Sequence, residues 1–323
     1  MNRLNVLYRG PLKSCNYQCW YCPFAKRAES GDELETDRSA LARFIAWVEG
    51  NSDIALGVLF TPWGEALVRP WYQDALVRLS HLPHVQRAAA QTNGRWPLEW
   101  IEQANRDRLA LWMTYHPTEI ARPAFVERCH VLRALGVRFS VGVVALRDHF
   151  EEIRRLRDEL PTDTYLWLNA YKDGGAGYSP DEIRALEAID PLFRVNTKRH
   201  ASGGQGCDAG NTAIAIDGEG VIRRCHFIDE PIGNIADRDW RGALRPRACT
   251  NRTCGCHIGY VHLHRLGLGR VFGDGLLERI PTSYDRVGLM MVAPRLCSGA
   301  CPRVAHSANT LARSANEVLR APP

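Results

Sequence analysis

Cys15-Asn-Tyr-Gln-Cys19-Trp-Tyr-Cys22 follows a short β-rich run at 5–8 and opens a region that alternates such runs with longer amphipathic stretches. The spacing is C-x3-C-x2-C, three thiols on one short loop. Three thiolates so placed hold three irons of a cubane iron–sulfur cluster and leave the fourth iron without a protein ligand. An open metal position is where a substrate or cofactor binds. A zinc knuckle lacking its fourth ligand is the competing reading of the same residues.

Outward from this loop, β-rich runs recur at 54–60, 87–92, 109–115, 137–145 and 165–171. Amphipathic stretches at 37–48, 71–79, 97–106, 123–135 and 151–160 separate them. Successive β/α units predict a parallel sheet with right-handed crossovers. Six runs are fewer than the eight strands of a closed barrel, so the expected fold is α/β, a partial (β/α)6 barrel. Its active site is expected at the carboxyl ends of the strands. The Gly/Ser-rich stretch 201–206 reads as a linker. It sets the expected domains at 1–200, 201–275 and 276–323. After it come two runs, 212–217 and 221–227, around Gly218-Glu219-Gly220, which predict a β-hairpin in a small α+β domain. The stretch 263–280 is Gly/Leu-rich without a clear period, and 303–323 is expected as a terminal helix.

The chain has 323 residues, 45% hydrophobic and 24% charged, which excludes a disordered, collagen-like or coiled-coil protein. No window approaches the roughly 18 uninterrupted apolar residues of a membrane span. The apolar start, LNVLY, is too brief for a signal-peptide core, so the expected compartment is the cytoplasm. The net charge of +5 is spread along the chain, and no nucleic-acid or membrane partner is expected. Eleven cysteines are the anomaly. In a long cytoplasmic chain grouped cysteines point to metal ligands or catalysis rather than disulfides. They fall at 15, 19 and 22, at 207, 225, 249, 254 and 256, and at 129, 297 and 301.

The first cluster, at this spacing after the first strand of a β/α series, resembles the radical S-adenosylmethionine (SAM) superfamily. The resemblance extends over the whole β/α region. It implies a [4Fe–4S] cluster on Cys15, Cys19 and Cys22 that binds SAM and cleaves it to a 5′-deoxyadenosyl radical. Tyr21, before the third cysteine, is then expected near the adenine. Gly64-Glu65, in Phe60-Thr-Pro-Trp-Gly64-Glu65, corresponds to the superfamily's motif for the SAM amino group. Trp63 and Ala66 replace its usual first Gly and its Pro. Asn93, in Gln91-Thr-Asn-Gly94, and Ser140, on the fifth run, are the further expected SAM contacts. A strand-end turn residue and a buried hydroxyl are the structural alternatives for those two.

Cys207-x12-Gly220-x4-Cys225, the phrase Pro231-Ile-Gly-Asn-Ile235 and Cys249-x4-Cys254-x-Cys256 resemble the twitch domain of radical SAM enzymes, a shortened SPASM domain. Such a domain holds a second, auxiliary [4Fe–4S] cluster on four cysteines. A structural zinc site is the alternative. Five thiols compete for four positions. The expected ligands are Cys207, Cys225, Cys254 and Cys256. Cys249 is then the spare thiol, although 249, 254 and 256 remain interchangeable on spacing alone.

A spare thiol beside a radical site can return hydrogen to the opposite face of a substrate carbon. The expected function is therefore a radical SAM epimerase, an isomerase, with Cys249 as hydrogen donor. By resemblance to twitch enzymes of antibiotic biosynthesis, the expected substrate is an aminoglycoside of the neomycin type. An external electron donor such as flavodoxin or ferredoxin is implied. The alternatives are dehydrogenation of an amino sugar or aminocyclitol alcohol, peptide modification, and a non-enzymatic iron–sulfur or zinc module. A polycationic aminoglycoside would require carboxylates in the pocket despite the net positive chain. Cys129 is read as a core thiol. His116, the 171–175 stretch, the 257–262 run, Cys297 and Cys301 receive no role.

Overall fold

Strand β1 (Arg3–Arg9) alternates along its length: Leu4, Val6 and Tyr8 face one hydrophobic core, and Leu7 faces another. That period of two repeats across the sheet. The structure, a computed structural model, describes residues 3–24, 27–172 and 177–284. Five further strands follow β1 in parallel: β2 (Ala55–Phe60), β3 (Val85–Thr92), β4 (Leu109–Tyr115), β5 (Arg138–Val144) and β6 (Leu166–Asn169). Helices α1 (Gly31–Gly50), α2 (Pro70–His81), α3 (Arg122–Ala134) and α4 (Phe150–Glu159) lie between them in sequence. The six β-rich runs of the sequence coincide with these strands.

Two short helices, α5 (Pro180–Glu187) and α6 (Phe193–Asn196), precede the chain's return to the sheet. Strand β7 (His200–Ala201) leads to β8 (Ala213–Asp217), which pairs in parallel with β1, Asn5 opposite Ala213. Strands β9 (Val221–Arg223) and β10 (Pro231–Asn234) then continue antiparallel. The nine-stranded order is β10-β9-β8-β1-β2-β3-β4-β5-β6. The hairpin around Gly220 is thus present, but it extends the main sheet, and all described residues fall within one compact unit. The 201–206 segment is no break in the chain's packing: Ser202 and Gly204 bond backwards to Arg252 and Cys249 carbonyls. A small second sheet pairs β7 with β11 (Thr253–Cys254), and helices α7 (His257–Tyr260) and α8 (Leu268–Phe272) follow.

The helix-facing layer joins Leu56, Val58, Phe60, Leu111, Val141 and Leu168 to the helices. The opposite layer sets Leu59, Ala89, Trp112 and Trp167 against Tyr260, Leu263, Phe272 and Leu277. This second layer is the inner face, and it is closed by residues that the sequence left unassigned at 263–280. Cys129 is fully buried in the helix-side core, where burial pushes its thiol up to about 12. Residues 285–323, with Cys297, Cys301 and the expected terminal helix, lie outside the described residues. Among the described residues no helix is long and apolar enough to cross a membrane.

Two expectations shift. Helix α1 begins well before 37, because Ser30 and Glu33 form a reciprocal capping box. The stretch 97–106 makes only a 3-10 turn, Glu99–Gln103. Pro97 disfavours a helical residue before it, and the Asn105 N–H donates to the Ser80 hydroxyl instead of a helical carbonyl.

One buried carboxylate ties the first helices to the segment that carries the cysteines. Asp37, fully buried on α1, accepts hydrogen bonds from Leu12 N–H, the Trp71 indole N–H and the Tyr72 hydroxyl at 3.2, 2.8 and 3.0 Å. Removing it leaves three donors without partners. Asp37→Ala is expected to lower the unfolding free energy by about 3 kcal/mol, measured by denaturant titration.

Candidate active site

The loop after β1 is fixed by backbone contacts. Gly64 N–H donates to the Leu12 carbonyl and Glu65 N–H to the Ser14 carbonyl, both at 3.0 Å. A Cβ on Gly64 would stand 2.0 Å from the Ser14 oxygen, so only glycine permits this approach. Glu29 accepts the Lys13 and Ser14 N–H groups, and Arg69 donates to the Ser14 hydroxyl at 2.7 Å. Beyond the first cysteine, Asn16 accepts from the Asn93 amide at 2.7 Å, and Gln18 N–H donates to Glu119. His116 Nδ1 lies 3.3 Å from Cys19 Sγ and 3.1 Å from the Tyr21 hydroxyl. The strand-four histidine therefore stands beside the cysteine loop.

Glu65 does its work through its own carboxylate. It is buried and accepts from Leu67 N–H, the Thr92 hydroxyl and Asn93 N–H at 3.1, 2.6 and 2.7 Å. These bonds join the turn after β2 to the end of β3. Burial outweighs the three donors and pushes the carboxyl up to about 7.

A cavity of about 480 Å³ opens at the carboxyl ends of the strands. It brings together Cys15, Cys19, Cys22, Tyr21, Gly64, Glu65 and Asn93, seven of the residues expected to hold a cluster and SAM. Ser140 is not among its lining. That hydroxyl is fully buried, donating to the Glu278 carbonyl at 2.6 Å and accepting from the Trp167 indole at 3.1 Å. Ser140 sits too deep along β5 to reach the strand ends, and it anchors the 276–284 segment instead.

The second cysteine group gathers around several thiols. Burial raises the thiols of Cys207, Cys225 and Cys254; all three also feel the Cys249 thiol, and Cys254 feels those of Cys225 and Cys256 as well. Backbone bonds explain the position of Cys249: its N–H donates to Gln205 and its carbonyl accepts from Gly204, beside Cys207. Cys256, by contrast, caps α7, is exposed, and lines the cavity, whereas Cys249 does not. Cys249 thus lies near Cys207, Cys225 and Cys254, and Cys256, which Cys254 also feels, lines the cavity.

The donor chemistry of Cys15, Cys19 and Cys22 fits a thiolate-held cluster. Among the described residues no three His, Cys, Asp or Glu side chains converge on a single-ion position. A cubane places its irons at separate corners, so each thiolate reaches a different iron and the thiols stand apart. The cavity's remaining lining was not singled out from the sequence. Thr114, Val144 and Asn169 come from inward positions near the ends of β4, β5 and β6, which strand alternation alone could have found. Arg9, His226, His257 and Arg279 also line it, together with Trp112 and Trp167. Arg9 stacks on Trp63 at 4.3 Å from the ring centroid, and burial holds its guanidinium down to about 10. The His226 and His257 imidazoles are held well below their ordinary value, first by burial and then by Arg9 and Arg279 respectively, so both are neutral.

No protein-family model and no curated protein matches this sequence. Solved structures do match the fold. A structure described as native anSMEcpe with bound AdoMet aligns at TM-score 0.51 and 14% identity, covering 74% of this chain and 80% of that one. A histidine-tagged form of the same protein with bound AdoMet gives TM-score 0.50 at 13% identity, over 75% and 77% of the two chains. A crystal structure of BtrN in complex with AdoMet and 2-DOIA aligns over 75% of this chain and 83% of that one, at 18% identity and TM-score 0.38, too low to bear on the fold. The protein therefore shares its fold with a protein solved with S-adenosylmethionine (AdoMet) bound.

The Gly64 contact makes a sharp test of the loop. Gly64→Ala forces the cysteine loop away from the turn after β2. Iron taken up on anaerobic reconstitution should fall to about half of wild type, with far-UV circular dichroism unchanged. Full iron content in that variant would show that the loop does not depend on this approach.

Proposed function

We propose that the protein is a radical SAM enzyme. The observation that carries this reading is the single cavity that gathers Cys15, Cys19 and Cys22 with Tyr21, Gly64, Glu65 and Asn93 at the carboxyl ends of the strands. The shared fold with AdoMet-bound structures supports it. Cys15, Cys19 and Cys22 would hold one [4Fe–4S] cluster. Cys207, Cys225, Cys249 and Cys254 would hold a second. When bound, a reduced cluster and AdoMet supply a radical able to take hydrogen from an unactivated C–H bond.

The chain's own residues prepare that chemistry. Tyr21, anchored by its hydroxyl to His116, and Trp63 give the cavity aromatic walls, and the largely apolar lining excludes water. The Glu65 bonds fix the turn that would meet the cofactor, so little reorganisation accompanies binding.

Cys256 is the proposed hydrogen donor, in place of Cys249. Its S–H bond breaks, a C–H bond forms at the substrate carbon, and the sulfur is left as a thiyl radical. One electron from a donor such as flavodoxin or ferredoxin and one proton restore the thiol. Return of hydrogen to the opposite face inverts the carbon, the action of an epimerase. The finer expectation of a neomycin-type aminoglycoside finds little support in the lining. Among the described residues its only carboxylate is Glu65, which is committed to Leu67, Thr92 and Asn93.

The cysteine assignment is tested on the reconstituted protein by iron content and alkylation. Cys249→Ser should lose about half of the iron, and Cys256→Ser should keep it all. Iodoacetamide should label Cys256 in the wild-type holoprotein while the seven ligand cysteines stay protected, read by peptide mass spectrometry. Iron loss in Cys256→Ser with none in Cys249→Ser would reverse the roles and favour a dehydrogenase without a free donor. The wild-type protein should cleave AdoMet to methionine and 5′-deoxyadenosine under a strong reductant, and failure to do so would remove the radical SAM reading itself.

A further inference from the structure

Glu278 and Arg279 are neighbours in sequence with opposite fates. Glu278 is fully buried and forms ion pairs with Arg87 and Arg138, from β3 and β5. Arg279 turns the other way. Its φ of 58° is the only positive value at a non-glycine among the described residues. The turn is held by Ile280 N–H donating to the Gly275 carbonyl at 2.8 Å, by the Ser140 bond to the Glu278 carbonyl and by the Glu278 ion pairs. An unfavourable backbone conformation that its surroundings enforce is a common mark of a functional position.

The side chain so directed lines the cavity and is 2% exposed. Its guanidinium lies 4.2 Å from the Trp167 ring centroid and 5.5 Å from that of Trp112. Gly142 makes room for this floor, since a Cβ there would stand 2.0 Å from the Trp167 ring. Among the described residues Arg279 has no ion pair and no hydrogen bond, and its Nε is sealed from solvent without an acceptor. Asp190, whose carboxylate feels the Arg279 charge, gives its oxygens to the Tyr165 hydroxyl and to Leu168 and Leu192 N–H. The adjoining His257 is neutral and its Nε2 also lacks a partner.

A buried guanidinium with no carboxylate in hydrogen-bonding contact is costly unless an anion completes it. We infer that Arg279, with His257 beside it, is the anchor for an oxyanion group of the substrate, a carboxylate or a phosphate. The substrate is then anionic, and Arg279 separates it from the polycations that the sequence suggested. The flanking indoles fit a planar guanidinium that meets its anion with two parallel N–H donors. The aromatic lining from Trp63, Trp112 and Trp167 suits an apolar body on the same molecule. This inference rests on the radical SAM reading for its meaning but not for its test.

Three probes of one shape and different charge carry the experiment: benzoate, phenyl phosphate and benzamidine. Each is titrated by anaerobic calorimetry, at constant ionic strength, into the reconstituted protein saturated with AdoMet and into the iron-free protein. The expected result is that an anionic probe binds at least tenfold more tightly than benzamidine in both preparations. Arg279→Gln should weaken that probe at least tenfold and leave AdoMet affinity within twofold. Arg279→Lys should recover part of the loss, which a variant that had merely lost its fold would not do. Tighter binding of phenyl phosphate assigns the group as phosphate, and tighter binding of benzoate as carboxylate. Equal binding of benzamidine, unchanged anion binding in Arg279→Gln, or a loss confined to AdoMet affinity would each overturn the inference. Failure of the wild-type protein to hold iron or cleave AdoMet, with anion selectivity intact, would overturn the functional reading alone.

Discussion

Two main-chain hydrogen bonds, from Gly64 to Leu12 and from Glu65 to Ser14, hold the cysteine loop against the turn that follows β2. Much of the site's arrangement depends on this contact. Among the described residues between β1 and α1 none belongs to a helix or strand, so side-chain packing alone would leave the loop several conformations. The backbone approach removes that freedom at one edge. Asn16 and Asn93 fix the loop at the end of β3, and His116 fixes it at the end of β4. Three strand ends are thereby tied to the loop that carries three thiols. Asp37 serves the same purpose from behind, through Leu12 N–H.

The inner face is closed by the 276–284 segment, and the two buried charges there divide the work. Glu278 is paired with two arginines, which secures the segment at the far end of the sheet from the cysteine loop. Among the described residues Arg279 has no ion pair and no hydrogen bond, and the Asp190 carboxylate that feels its charge is committed to other donors. A fold that pairs one buried charge twice and leaves its neighbour without a direct partner has a place there for an anion it does not itself contain. The net charge of the whole chain says nothing of this, because the residues that set the cavity's field are a handful among many.

Much of the sheet was legible because its signals are local. Strand β4 reads as an apolar run interrupted only by Thr114, and Leu4, Val6 and Tyr8 recur at every second position of β1. The C-x3-C-x2-C spacing is a contact of residues a few positions apart, so the loop could be read directly. What escaped the sequence is long-range. The β8–β1 pairing joins residues some 200 positions apart, and a Gly/Ser-rich stretch between them resembles a linker until its hydrogen bonds to 249–252 are visible. Ser140 has the residue type and strand of a cofactor contact, but its depth along β5 gives it to Glu278. Arg279 carried no motif at all; its positive φ, its place against Trp167 and the lack of an ion pair among the described residues identify it.

Spacing cannot settle a ligand set that has one thiol too many. The pair Cys254-Gly255-Cys256 looks like a chelating unit, and Cys249 looks remote from it. Yet Cys256 has already left the second sheet to cap α7, whose first residues belong to the cavity wall. Cys249 is brought back to Cys207 by backbone bonds to 204–205. What a thiol can reach is decided by where the backbone carries its sulfur, and here the start of α7 brings Cys256 to the cavity wall. That places a thiol and the Arg279 guanidinium on the same cavity as the three-thiol loop. Under the proposed reading, an anion held at Arg279 would fix a substrate in the same space as that thiol and that loop.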